Sequence, residues 1–262
     1  MVWLNPRYSE EEIEKFYNDN YYLRDDILEG GYDDYALLEE DLTKTYARIY
    51  REISPHLVRR GRVLDIGCGH GYFLSLLRED FDECVGIDIS QEACRKVAEK
   101  GMLAVRGNFE SVDVKSLGSF DLILMTDFLE HVYNLRECME QLRHLVDVGT
   151  LLVVVTPNYN SLLRRISGRN WVSFKLPEHV NYFTPETIKK LLTPRHFKIL
   201  HNRQVCQYAS GGFVSKRVER VNRVFGRSLS VISTRLRLTK KSFCVPSGNM
   251  LVLAVYQPNT QD

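Results

Sequence analysis

The chain contains, at residues 63–74, the stretch VLDIGCGHGYFL, and at residues 85–88 the four residues VGID. An apolar run that gives way to closely spaced glycines predicts a buried strand and a tight turn, because glycine adopts backbone conformations that other residues avoid. The turn leads into a helix, and VGID is a second strand that ends at Asp88. This order of strand, glycine turn, helix and strand is typical of nucleoside-binding α/β sheets.

Two acidic residues and the glycine spacing indicate the kind of nucleoside. Asp88 follows the first glycine by about 20 residues, where a doubly wound sheet places the carboxylate that binds a ribose. A dinucleotide turn requires Gly-x-Gly-x-x-Gly, but Gly67, Gly69 and Gly71 alternate here. Asp65 would repel a pyrophosphate and attract an ammonium group. Together these features predict a nucleoside cofactor that is positively charged and carries no phosphate.

The motif Asp-x-Gly-x-Gly-x-Gly, which begins at Asp65, resembles the first motif of the class I S-adenosylmethionine-dependent methyltransferases. The resemblance implies S-adenosylmethionine as cofactor and a seven-stranded Rossmann-like α/β sheet with an antiparallel last strand. Asn108 stands where the family usually has an acidic residue, and its amide oxygen can accept a hydrogen bond from the adenine amine. A glycine turn from another nucleotide or sugar enzyme is the alternative. The cofactor-binding residues that the resemblance implies are Asp65, Gly67, Gly69, Gly71, Asp88, Asn108 and Phe109.

Later segments follow in the order that this family requires. Residues 90–101 begin with a capping serine and stop at a glycine, which predicts a helix. Short apolar runs at 102–105, 120–126 and 151–155 predict the next three strands, and residues 249–256 predict the last one.

We expect the chain to be organised in three parts. Apolar residues three or four positions apart between 33 and 58 predict an amphipathic helix, which can lie across the cofactor mouth as a lid or simply pack on the core. The motif PEHVNYFTPET at 177–187 is similar to the substrate loop of the family. The parts are an N-terminal helical lid (1–60), a methyltransferase core (61–210) that includes a substrate loop (156–187), and a basic helical insert with the final strand (211–262).

The first residues and the overall composition add further expectations. The segment WLNPR at 3–7 is similar to the one that follows a zinc ribbon in bacterial sugar and glycan-cluster methyltransferases, so we expect a shorter relative or a chain that starts late. The formal charge of +1 gives no global field that attracts or repels nucleic acid, and we do not expect nucleic acid as the partner. Six scattered cysteines and the absence of an evident signal sequence favour a cytoplasmic location.

The insert at residues 213–241 carries nine lysines and arginines against one acid, Glu219. Val214, Val218, Val221 and Phe225 recur at helical spacing among these charges. Two interpretations stay open. A basic amphipathic helix can make peripheral contact with an anionic membrane and reach a lipid-linked acceptor. Alternatively, the charges mark the solvated face of a helix that packs on its own domain.

Three residues are candidates for catalysis: His131, His179 and Glu130. A neutral histidine can take the proton of a hydroxyl acceptor, and Glu130 could orient the ring of His131 or tie down its loop. The spacing from Asp127 to Glu130 and His131 is similar to an acidic-x-x-Glu-His element of ubiquinone-pathway O-methyltransferases. That resemblance implies a divalent metal such as magnesium or manganese, which would lower the pKa of a bound hydroxyl.

The sequence therefore predicts methyl transfer to a hydroxyl of a small or lipid-linked molecule. A sugar or glycan precursor is the acceptor class that the resemblance favours. The alternatives are a metal-assisted methyltransferase of the ubiquinone type, an RNA methyltransferase that uses the basic insert, and a cofactor-binding protein without turnover.

Overall fold

The six runs predicted as strands pair with one further strand, Phe197–Ser210, into one sheet of seven strands. The computed structural model describes residues 2–4, 12 and 38–258. The strands are β2 (Arg62–Ile66), β3 (Glu83–Asp88), β4 (Leu103–Arg106), β5 (Phe120–Thr126), β6 (Val146–Pro157), β8 (Phe197–Ser210) and β9 (Ser242–Tyr256). The order across the sheet is β4-β3-β2-β5-β6-β9-β8, and β9 is antiparallel to both of its neighbours. This confirms the predicted methyltransferase sheet and its reversed last strand.

Helices cover both faces of the sheet, which buries two apolar layers. The first three helices pack on one face, and the helices Leu135–Arg143 and Pro185–Leu192 pack on the other. A separate two-stranded pair joins β1 (Val2–Trp3) to β7 (Asn181–Tyr182). The helices are α1 (Glu39–Ile53), α2 (Tyr72–Leu77), α3 (Gln91–Glu99), α4 (Leu135–Arg143), α5 (Leu162–Ser167), α6 (Pro185–Leu192), α7 (Gly211–Val221) and α8 (Arg223–Arg235).

The capping residues act where the sequence places them. The Ser90 hydroxyl accepts a hydrogen bond from the Ala93 amide and so begins α3. Thr184 and Thr187 form a reciprocal capping box ahead of α6, with Pro185 as the first helical residue. Each interaction satisfies an amide that has no partner inside its helix.

Two predicted elements have different bounds in the structure. The helix expected at 33–58 is observed as α1 over Glu39–Ile53, and residues 33–37 lie outside the described part. The last strand starts at Ser242 rather than 249, because β8 and β9 continue their antiparallel pairing toward the insert. The insert itself is a pair of helices, α7 and α8, between these two strands. Among the described residues, no helix has the length and apolar character required to cross a bilayer.

Helix α1 is an integral part of the core on its face of the sheet. The Tyr46 ring stacks on the Phe73 ring of α2 with 4.6 Å between centroids, and Ile49 and Ile53 are buried beside them. The role of a lid over the cofactor stays a prediction, and most of the segment that would provide it lies outside the described residues.

We predict that Ile49→Ala lowers the free energy of unfolding by about 2–5 kcal/mol, because the truncated side chain leaves a cavity in a packed core. Arg51→Ala on the exposed face of α1 is the matched control, with a change of at most roughly 0.5 kcal/mol. Urea unfolding of the two variants measures the difference. Equal stabilities would show that α1 is docked too loosely to belong to the core.

Candidate active site

The glycine turn after β2 is held in place by the carboxylate of Asp88. The Gly69 amide donates a hydrogen bond to Asp88 Oδ2 and the Ser90 amide donates one to Oδ1, each at 2.9 Å. Gly67 and Gly71 have φ of +76° and +70°, a region that favours glycine. The carboxylate predicted to bind a ribose therefore lies directly beside the turn.

Asp65 is a buried carboxylate beside this turn. It is 2% exposed, and Oδ1 has no hydrogen-bond partner in the described part of the chain. Burial, with a smaller contribution from the charge of Asp88, raises the pKa of Asp65 to about 8. A bound ammonium group would supply the missing charge. Asp65 thus fits the amino group of an amino-acid-bearing nucleoside, as the sequence predicts.

The two residues predicted to contact the adenine occupy different environments. Asn108 is half-buried, and its side-chain oxygen accepts a hydrogen bond from the Glu110 amide at 3.1 Å. Phe109 is 2% exposed and lies in the core, edge-on to Phe128. Their contact with the cofactor stays a prediction.

The loop after β5 is in contact with the glycine turn. A Cβ atom at Gly67 would lie 2.8 Å from the Phe128 ring, so the two segments touch where glycine leaves room. Asp127 adopts a φ of +51°, and its Oδ1 accepts a hydrogen bond from Asn249 Nδ2 at 2.9 Å. Strained conformations of this kind concentrate at functional sites. This contact places the loop that contains Glu130 and His131 next to the cofactor turn.

The three predicted catalytic residues meet in one cluster. One ligand atom each from Glu130, His131 and His179 lies within 4.8 Å of the others. The two imidazole rings pack edge to face, with 4.7 Å between centroids. The Val180 amide donates a hydrogen bond to the Glu130 carbonyl, which attaches the substrate loop to the loop after β5.

Burial controls the protonation of this cluster. It lowers the pKa of His131 to about 4 and the pKa of His179 well below its usual value, so both rings are neutral at pH 7. It raises the pKa of Glu130, and Asp127 adds to this effect. His179 Nδ1 donates to the Ser173 carbonyl at 2.9 Å, which leaves Nε2 with its lone pair. Glu130 Oε2 accepts from the Thr156 hydroxyl at 2.9 Å rather than orienting the His131 ring.

An aromatic wall, formed by Trp171, Phe174 and Tyr182, adjoins the cluster, in the segment whose polar and aromatic residues the sequence suggests as candidates for acceptor contact. Tyr182 is buried, its hydroxyl has no hydrogen-bond partner among the described residues, and burial raises its pKa to about 12, with Glu130 contributing. Trp171 and Phe174 make edge contacts with each other, and Tyr182 packs against both.

Two cations lie near the cluster, one in the substrate loop and one in the insert. Burial lowers the pKa of Lys175 in the substrate loop, while the charge of Glu178 opposes that shift and Asp127 and Glu130 contribute in the same direction as Glu178. Arg217 of α7 exerts its charge on Asp127 and His179. No local pattern in the sequence assigns Arg217 to the site, because its proximity depends on how the insert folds back.

The fold and this site match a known class of protein. A family model described as a methyltransferase domain matches residues 38–202 of the 262-residue chain. The chain therefore belongs to the methyltransferase-domain family, among the S-adenosylmethionine-dependent methyltransferases, and S-adenosylmethionine is its cofactor.

Two similar relatives are each named ubiquinone biosynthesis O-methyltransferase. The one from Bradyrhizobium diazoefficiens is 30% identical over 141 residues, which cover 50% of this chain and 56% of the relative. The one from Paraburkholderia phymatum is 33% identical over 126 residues, covering 45% and 54%. The chain thus spans little more than half the length of these relatives.

Solved structures share the fold at low sequence identity. Magnesium protoporphyrin IX methyltransferase from Synechocystis, with bound SAH, has a TM-score of 0.59 and 13% identity, over 95% of this chain and 100% of that one. A SAM-dependent methyltransferase from Archaeoglobus fulgidus has a TM-score of 0.56 and 22% identity, over 84% and 98%. These likenesses concern the arrangement of the sheet and its helices.

We predict that cofactor binding at pH 7 releases a proton from Asp65. The carboxyl group is mostly protonated in the free protein because its pKa is about 8, and the ammonium group of the cofactor stabilises the carboxylate. Titration calorimetry in buffers of different ionisation enthalpy counts the released protons. Asp65→Asn should lose up to one of them, and the same count for both proteins would contradict this role.

Proposed function

We propose that the protein transfers the methyl group of S-adenosylmethionine to a hydroxyl oxygen of a small or lipid-linked acceptor. The observation that carries the proposal is the cluster of two neutral histidines and Glu130 beside the cofactor turn. A neutral imidazole is suited to remove a hydroxyl proton as the oxygen attacks. The similar relatives are named O-methyltransferases, which supports the same choice of acceptor atom.

The reaction is an in-line displacement at the methyl carbon. The acceptor oxygen forms a bond to this carbon while the carbon–sulfur bond breaks, and the electron pair remains on sulfur as a neutral thioether. The hydroxyl proton moves to the ring of His131, which is more accessible than His179. Holding donor and acceptor in contact supplies much of the acceleration. The His179 ring, with its tautomer set by Ser173, packs against His131 and fixes its position.

The wall around the cluster indicates what the acceptor looks like. Trp171 Nε1 and the Tyr182 hydroxyl are buried groups without partners among the described residues, and both can donate hydrogen bonds. An acceptor ring with several oxygen atoms would satisfy them while packing on the aromatic surfaces. A sugar or glycan precursor and a ubiquinone-type phenol both meet this description. Incubation with sugar nucleotides and with catechols, followed by mass spectrometry for a gain of one methyl group, separates the two classes.

We predict that His131→Gln lowers the methyl-transfer rate by about 10²–10⁴, because glutamine cannot take the proton. The affinity for S-adenosylmethionine should be unchanged, since the glycine turn and Asp88 are intact. Single-turnover rates measure the first quantity and calorimetry the second.

The matched control is His144→Gln, which changes an exposed histidine outside the cluster. Its rate should equal that of the unmodified protein. Full activity of His131→Gln with an acceptor identified in the screen would remove His131 as the base.

A second candidate function, metal-assisted O-methylation, is favoured by the composition of the same cluster. One carboxylate and two neutral imidazoles form a donor set that suits divalent ions, and Glu130 Oε1 has no partner among the described residues. Glu130, His131 and His179 would hold the ion, in place of the Asp127-containing set that the sequence suggests. A bound ion would lower the pKa of the acceptor hydroxyl.

We predict, under this second candidate, that Mn²⁺ raises the thermal midpoint of metal-stripped protein by binding the native state. His179→Ala should abolish the shift, because it removes one ligand, whereas His144→Ala should retain it. Differential scanning fluorimetry with increasing Mn²⁺ provides the measurement. Equal shifts in the two variants, together with full activity after exhaustive chelation, would exclude a metal at this cluster.

A further inference from the structure

Helix α8 has most of its large apolar residues on the outside, and Leu229 alone among them is half-buried. Two pairs of the exposed residues are seven positions apart, about two helical turns, so they lie on one side of the helix, and their side chains are between 51% and 75% exposed. A helix that packs on its own domain would bury this face. The exposed apolar residues are Val224, Phe225, Val231, Ile232 and, at the end of the helix, Leu236.

The residues on the opposite face of α8 explain why its apolar residues are exposed. Gly226 and Ser233 are its buried positions, and a Cβ atom at Gly226 would lie 2.2 Å from the Glu219 Cα atom of α7. The two helices therefore meet along small residues. Large side chains cannot fit in this contact, so they point away from the protein.

The charges around the exposed face have one sign. Residues 222–241 contain six lysines and arginines and no acidic residue. Arg227 pairs with Glu219 of α7 at 3.2 Å, and the other five are exposed. Each basic residue near an anionic membrane contributes to binding, and an apolar helix face adds insertion at the lipid interface. The five exposed residues are Arg223, Arg235, Arg237, Lys240 and Lys241.

We propose that α8 docks the protein on an anionic lipid bilayer through this apolar face and its basic border. An exposed apolar helix face alone would also suit a protein partner, but the uniformly positive border matches an anionic surface. Helix α7 lies between this lipid-binding face and the catalytic cluster. It packs against α8 and carries Arg217, whose charge acts on Asp127 and His179. An acceptor held in the membrane would thus meet the enzyme near its active site.

The test is sedimentation of the full chain with vesicles of phosphatidylcholine, with and without about 30% phosphatidylglycerol. We expect binding to the anionic vesicles that weakens as salt is raised. Two double variants, Phe225→Ser with Ile232→Ser and Arg235→Ser with Arg237→Ser, should each weaken binding by about tenfold or more. All four positions are exposed, so the fold should persist, and unchanged S-adenosylmethionine affinity verifies it.

The matched controls are Val58→Ser and Lys115→Ser, which alter an exposed apolar and an exposed basic residue elsewhere. Both should bind vesicles like the unmodified protein. Three results would overturn the proposal: no binding to anionic vesicles, equal binding by all the variants, or a dimer in light scattering that the Phe225 and Ile232 changes dissolve. The last result would identify a second copy of the chain as the occupant. Salt-sensitive binding to RNA without vesicle binding would identify nucleic acid instead.

Discussion

The active site depends on the way in which two strand ends present carboxylates to one glycine turn. Asp88 at the end of β3 accepts hydrogen bonds from the amides of Gly69 and Ser90, and this fixes the turn. Asp65 at the end of β2 is buried beside it with an unsatisfied oxygen. The first carboxylate is compensated by the protein itself. Burial keeps the second mostly protonated until a positive ligand stabilises its charged form, which is why Asp65 suits a cationic donor.

The same constraint connects donor and acceptor. Parallel strands end at one edge of the sheet, so the loops after β2 and β5 are neighbours, and Phe128 touches Gly67. Glu130 and His131 follow within three residues. A hydrogen bond from Val180 to the Glu130 carbonyl then brings His179 to them. The catalytic cluster is thereby held beside the cofactor turn by the Phe128 contact and this backbone hydrogen bond. Burial keeps both histidines neutral.

The insert between β8 and β9 extends this arrangement outward. Its inner helix α7 contributes the charge of Arg217 to the site, and its outer helix α8 has an apolar face that nothing in the described chain covers. The close contact at Gly226 allows Arg217 to face the site and the apolar residues of α8 to face outward, because two helices that meet along small residues leave their larger side chains to point elsewhere. A sequence pattern shows only that such a helix is amphipathic. The direction of its apolar face depends on which residues its partner can accommodate.

The sequence by itself determined six of the strands, the helix caps and the carboxylates at the cofactor turn, because strand ends, glycine conformations and capping residues are encoded within a few positions. The seven-stranded sheet and its reversed last strand were implied by the resemblance of the motifs to a methyltransferase family. The sequence also suggested Glu130 and His131, which follow the fourth strand of the predicted core, and His179, which lies in the substrate loop. Only the tertiary structure decided that these residues meet, that Tyr182 and Arg217 join them, and that α8 presents its apolar face outward. Each of these depends on contacts between residues far apart in the chain, and the free energy of such contacts depends on the whole packing rather than on local pattern.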